Sequence, residues 1–129
     1  MPADKKALDL LLNAIKTKKP CKPIRHIIGE DNISGAVAIQ EELNKIRIKG
    51  GAKPIGAKIG STSKAVQQQL GMNQPDYGIL FDDMQVKSGA TIPWKNLMQP
   101  KVEAEVAFVI SQDLDTMPLS RVKLIGSIK

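Results

Sequence analysis

The chain has 129 residues, 42% of them apolar and four of them aromatic, and its 19 basic and 13 acidic residues give a formal charge of +6. These proportions are ordinary for a folded domain and argue against intrinsic disorder. The longest apolar run, residues 106–110, is far shorter than the ~20 residues that cross a bilayer, and Asp9 interrupts the apolar residues near the N-terminus. Neither a membrane span nor a secretory signal is therefore predicted.

Cysteine content and charge distribution narrow the class of protein further. Cys21 cannot form an internal disulfide, and with the single His26 it cannot build a zinc site of Cys and His ligands. We therefore expect a reducing, cytoplasmic compartment. The positive charge is concentrated in residues 1–25, with seven basic and two acidic side chains, whereas residues 26–110 hold nine of each. Because all the aromatic residues lie in the balanced part, the sequence predicts no nucleic-acid partner.

The first 50 residues are predicted to be helical. Apolar side chains recur at helical spacing over residues 4–18, and Pro20 ends this amphipathic helix. A second helix carries a stripe of apolar side chains and ends at Gly50, with its N-cap supplied by Asp31, Asn32 or Ser34.

Short strands are predicted to dominate after Gly51. Residues 54–60 and 77–81 are strand candidates, and a brief helix between them is capped by Thr62 or Ser63. The strongest predicted strand covers residues 102–110. The predicted fold class is α+β, in three segments: a helical region over 1–50, a mixed and mainly β body over 51–114, and a tail over 115–129.

Two glutamates lie in the last predicted strand. Side chains alternate between the faces of a strand, so Glu103 and Glu105 would share one face. Paired carboxylates can bind a hard cation such as Mg²⁺, which prefers oxygen ligands. The alternative interpretation is a solvated strand face, which antiparallel sheets commonly expose.

Two further clusters have the residue types that catalysis uses. Residues 56–63 place Lys58 between glycines before a helix N-terminus, an arrangement suited to an anion or simply to a tight turn. Their order matches neither a Walker A loop nor a dinucleotide-binding fingerprint. The adjacent Asp82 and Asp83 are either solvated turn residues or the source of a general base.

Several of these motifs together resemble one enzyme family. They are GAKIGSTSKAVQQQLGMNQPDYG at 56–78, LFDDM at 80–84 and QPKVEAEVAFVI at 99–110, with PIRHIIG at 23–29 and AIQ at 38–40. This combination closely resembles the 2-keto-4-pentenoate hydratases of the fumarylacetoacetate hydrolase superfamily. The 4-oxalocrotonate decarboxylases share the paired glutamates and the Lys-x-Gly turn, and they are the nearest alternative.

The resemblance implies a hydro-lyase that uses Mg²⁺ or Mn²⁺ to add water to 2-hydroxypenta-2,4-dienoate in aromatic catabolism. By analogy, Glu103 and Glu105 would bind the metal, Lys58 would stabilise substrate charge, and Asp83 would be an acid/base candidate. Residues Gly60 and Ser61 would contact the small-molecule substrate.

The C-terminal part departs from this family pattern. Hydratases of this kind are longer and bring a third metal carboxylate from beyond the paired glutamates, whereas this chain has no acidic residue after Asp115. The sequence therefore resembles a truncated hydratase, and a fragment, a frame-shifted product or a diverged short form would each give this pattern. The absent third ligand favours, as an alternative function, a noncatalytic remnant or assembly partner of a hydratase. We expect exposed apolar edges and hence a homo-oligomer.

Overall fold

The computed structural model describes residues 3–115 and 117–129. The chain forms two compact units, one ending at Gln99 and the other running from Pro100 to Lys129. The predicted α+β class is confirmed, since helices are combined with a small sheet. Across the described ranges, no helix has the length and apolar character needed to cross a membrane.

Three helices form the N-terminal part of the first unit: α1 (Lys5–Thr17), α2 (Arg25–Ile28) and α3 (Ile33–Lys49). Helix α1 begins where the Asp4 carboxylate accepts from the Ala7 amide at 2.9 Å, and α3 begins where Asn32 accepts from the Gly35 amide at 2.9 Å. Capping side chains satisfy amides that have no partner within the helix. Helix α1 packs against α3, and both predicted helices are confirmed.

The sheet of the first unit is an antiparallel pair, β1 (Pro54–Gly60) and β2 (Asp76–Phe81). Helix α4 (Lys64–Leu70) lies in their connection, as predicted, and Ser63 caps it by accepting from the Val66 amide at 3.1 Å. A 3₁₀ turn (Asp82–Met84) follows β2 directly. Phe81 is only 1% exposed, so the end of β2 is anchored in the small core.

The strand predicted over residues 102–110, in the second unit, is not found in the structure. The structure assigns residues 102–109 to no strand, and an isolated bridge joins Ile110 to Ile128 beyond helix α5 (Arg121–Gly126). Within this unit, Lys129 donates to the Val109 carbonyl and Ser111 to the Ser127 carbonyl, both at 2.8 Å. A strand requires a hydrogen-bonding partner along its length, and within this unit the tail pairs only with the end of the segment. The mainly β body is therefore a two-stranded sheet in the part that the structure describes.

Candidate active site

Lys58 lies within β1 rather than at its end. It pairs with Gly78 of β2, and the residue is exposed. Regular pairing on both sides of this position fixes the Lys58 backbone, since Ala57 pairs with Ile79 and Ile59 with Tyr77. Strand β1 thus presents Lys58 at the surface from a regularly paired position.

Gly60 and Ser61 form the tight exit from β1. Gly60 pairs with Asp76, and a Cβ atom on Gly60 would collide with Asp76 Oδ1. Ser61 adopts φ 54°, in the left-handed region that few residues other than glycine occupy. Its hydroxyl contacts Met72 Sδ at 3.6 Å. Substrate binding by Gly60 and Ser61 stays a prediction.

The Gln67 side chain anchors the loop that follows β1, a role that the sequence did not indicate. Its side chain is buried, with 3% exposure, and Nε2 donates to the Ser61 carbonyl at 2.8 Å. Lys64 Nζ donates to Gln67 Oε1 at 3.4 Å. Three consecutive glutamines occupy 67–69, and nothing in the sequence distinguishes the buried one from its exposed neighbours.

The two adjacent aspartates have different environments. Asp82 Oδ1 accepts from the amides of Lys53 and Asp83 at 2.9 and 3.0 Å, and the Asp82 amide donates to the Lys53 carbonyl. Asp82 therefore joins the 3₁₀ turn to Lys53, the residue that precedes β1. Asp83 instead forms an ion pair with Arg47 of α3, with 2.5 Å between Nη2 and Oδ1, and its side chain is 60% exposed.

Glu103 and Glu105 lie in the second unit, and both residues are exposed. Their placement on one face followed from the predicted strand, which the structure does not contain at these positions. Their carboxylates are of the type that a hard cation prefers. However, the described residues include no group of three His, Cys, Asp or Glu side chains placed to hold a metal. These residues do not make a complete divalent-cation site, so we derive no chemical step through a metal.

A cavity of about 430 Å³ lies elsewhere in the first unit, between α3 and residues 71–77. Ile33, Val37 and Tyr77 contribute apolar surface to it. Gln40 also lines it and donates to the Tyr77 carbonyl at 3.0 Å. Lys58 and Asp83 are not in its lining, so this cavity is distinct from the predicted catalytic residues.

Known proteins similar to this chain are hydratases and a decarboxylase. The TodF product hydratase of Pseudomonas putida F1 is 44% identical over 127 residues, which are 98% of this chain and 47% of that protein. A 2-keto-4-pentenoate hydratase of Paraburkholderia xenovorans LB400 is 47% identical over 110 residues, which are 85% of this chain and 41% of that protein. The chain is a relative of the 2-keto-4-pentenoate hydratases. The resemblance drawn from the motifs is thereby confirmed.

Structural comparison gives a consistent result. The 4-oxalocrotonate decarboxylase of Pseudomonas putida G7, solved in complex with magnesium and adipate, matches with a TM-score of 0.85 and 28% sequence identity. The match covers 96% of this chain and 48% of the decarboxylase. No family model matches the chain. The chain thus spans about half the length of the hydratases and the decarboxylase that it resembles.

Proposed function

We propose that this chain carries catalytic residues of a hydratase that converts 2-hydroxypenta-2,4-dienoate and water into 4-hydroxy-2-oxopentanoate during the breakdown of aromatic compounds. One observation carries the proposal: identity to hydratases is 44–47% over 85–98% of the chain, against 28% to the decarboxylase. Activity of the 129-residue chain on its own depends in addition on whether its carboxylates complete a metal site.

In the proposed reaction, Lys58 stabilises the negative charge that develops on the substrate oxygens. A preformed cation acts most strongly where charge appears in the transition state. Asp83, which forms an ion pair with Arg47, exchanges a proton with the substrate. Gly60 and Ser61 border the bound carboxylate on the loop that Gln67 fixes.

Glu103 and Glu105 are proposed as two of the ligands of a Mg²⁺ or Mn²⁺ ion. Glu103 and Glu105 would hold such a cation together with further ligands, and the cation would supply Lewis acidity to the site. Support comes from the carboxylate chemistry of the pair and from the magnesium bound to the similar decarboxylase. We further propose a cytoplasmic, homo-oligomeric protein.

Two alternatives have specific support. Decarboxylation of 4-oxalocrotonate is favoured by the TM-score of 0.85 to the decarboxylase. A noncatalytic assembly partner is favoured by the incomplete metal ligand set of the described residues.

A hybrid enzyme distinguishes these possibilities. In this hybrid hydratase, the present chain replaces the matching part of the Paraburkholderia xenovorans enzyme, so that the catalytic residues of this chain are tested at full length. We expect the hybrid to consume 2-hydroxypenta-2,4-dienoate and to release no CO₂ from 4-oxalocrotonate. CO₂ release without hydration would favour the decarboxylase alternative. A folded hybrid without either activity would favour the noncatalytic alternative.

A further inference from the structure

We propose that Arg47 is a positioning residue that fixes the orientation of the Asp83 carboxylate. Asp83 lies in a family motif of the sequence, whereas Arg47, 36 residues earlier in the chain, lies in none of the motifs. The assignment deepens the proposed function and rests on it for its catalytic meaning. The conformational part of the inference depends only on contacts within the first unit.

The guanidinium of Arg47 is held from two sides. Its carbon atom Cζ lies 4.6 Å from the centroid of the Phe81 ring, and Nη2 donates to Asp83 Oδ1. A guanidinium over an aromatic face is attracted by the ring quadrupole. Phe81 is 1% exposed and belongs to the core, so the ring is a fixed support for Arg47.

Fold stability alone explains this arrangement poorly. An ion pair with an exposed partner contributes little stability, and Asp83 is 60% exposed. Arg47 Nε is meanwhile buried with no hydrogen-bond acceptor among the described residues, which is unfavourable. The ion pair thus adds little stability beyond the cation–π contact, and Arg47 keeps an unsatisfied donor, so the orientation that the pair gives Asp83 explains it better.

The consequence for Asp83 is geometric. Asp82 already fixes the backbone of the 3₁₀ turn through its bonds to Lys53 and Asp83. Arg47 adds control of the side chain by occupying Oδ1. Proton exchange with substrate is then assigned to Oδ2, and the rotamer of Asp83 decides where that oxygen lies.

Side-chain couplings measured by NMR in the isotope-labelled 129-residue chain test whether Arg47 fixes the orientation of the Asp83 carboxylate. This measurement does not require catalytic activity. We expect the Hα–Hβ couplings of Asp83 to report one staggered rotamer in the wild type and averaged rotamers in Arg47→Met. Asp82 is the internal control and should keep a single rotamer. Lys45→Met is the matched variant, because it removes another α3 cation whose partner is Glu42, and it should leave Asp83 unchanged. Unchanged Asp83 couplings in Arg47→Met, or averaging of Asp82 and Asp83 together, would overturn the inference.

Kinetics of the hybrid hydratase then test whether the positioning of Asp83 by Arg47 contributes to turnover. Arg47→Met should lower kcat about 10- to 100-fold while KM changes less than about twofold, since a misplaced catalytic group costs turnover. In an Asp83→Asn background the same substitution should cause no further loss. Equal losses in both backgrounds would contradict action through Asp83. An inactive hybrid would contradict the proposed function instead, because the coupling measurement decides separately whether Arg47 positions Asp83.

Discussion

Lys58 is the residue whose charge the proposed chemistry needs most. Substituting Lys58→Met in the hybrid hydratase should reduce kcat by about 10²- to 10³-fold, the range seen when one preorganised oxyanion donor is removed. The circular dichroism spectrum should stay unchanged, because Lys58 is an exposed residue of a paired strand. Lys87→Met, at an exposed position outside the described helices and strands, is the matched control and should retain full activity. Loss of secondary structure together with activity would indicate a structural lysine.

Glu103 and Glu105 should act as metal ligands when the ligand set is complete. We expect Glu103→Ala and Glu105→Ala each to weaken Mg²⁺ or Mn²⁺ binding by the hybrid hydratase, since each removes one anionic ligand. Asp115→Ala removes an exposed carboxylate from the same unit and serves as the control. Isothermal titration with each metal measures the effect. Unchanged metal affinity in both glutamate variants would support the alternative interpretation, in which the two glutamates are solvated surface residues.

At the level of single residues, the charged candidates could be predicted from the sequence, but the side chains that contact them could not. Asp83 stood out because it adjoins Asp82 within a motif of the family, whereas Arg47 had only the appearance of a solvated helix residue. The contact between them depends on how α3 packs against the end of β2. Such packing is not encoded in local spacing, so the pair could not be predicted from periodicity.

At the element scale, the loop after β1 depends on one buried amide. Gln67→Ala removes the donor to the Ser61 carbonyl and should lower the free energy of unfolding by about 1–3 kcal/mol, the cost of leaving a buried polar group unpaired. Gln68→Ala is the matched control, because Gln68 is exposed in the same helix and its loss should change stability by less than about 0.5 kcal/mol. Urea denaturation compares the two. Equal effects would show that the bond to Ser61 contributes no stability.

The elements that were predicted correctly are those with local signals. Asn32 and Ser63 accept hydrogen bonds from amides three residues further on, and each was one of the two or three cap candidates, so the sequence located the starts of α3 and α4 to within a few residues. The strand over 102–110 was wrong because alternation of side chains shows only that a segment could form a strand. Whether it does depends on a distant partner, and within the second unit that pairing is limited to its end at Ile110.

At the scale of the whole molecule, the second unit should cause self-association. Val102 is fully exposed, and Val106 and Phe108 are also largely exposed, so this segment presents apolar side chains to solvent. Sedimentation velocity should show oligomers that Val106→Lys reduces, because a charge disfavours burial of this apolar segment between copies of the chain. Val122→Lys, at an equally exposed position of α5, should have less effect. A strictly monomeric wild-type chain would contradict this expectation.

The 129-residue chain alone should bind Mg²⁺ weakly and hydrate the dienoate slowly or not at all. The described residues offer no three-carboxylate cluster, and two carboxylates give a cation less charge and fewer ligands than a complete site. Metal titration and a turnover assay on the purified chain check this. Hydration near the median enzyme rate, on the order of 10 s⁻¹, would mean that another carboxylate completes the site.

The origin of the new hydroxyl group shows directly whether the hybrid hydratase adds water to the dienoate. The hybrid hydratase is incubated with 2-hydroxypenta-2,4-dienoate in ¹⁸O-labelled water, and mass spectrometry locates the label in the product. We predict 4-hydroxy-2-oxopentanoate with ¹⁸O at C4, formed about 10²- to 10³-fold more slowly in the Lys58→Met variant. A folded hybrid that forms no C4-labelled product, or that forms it equally well without Lys58, would contradict the account.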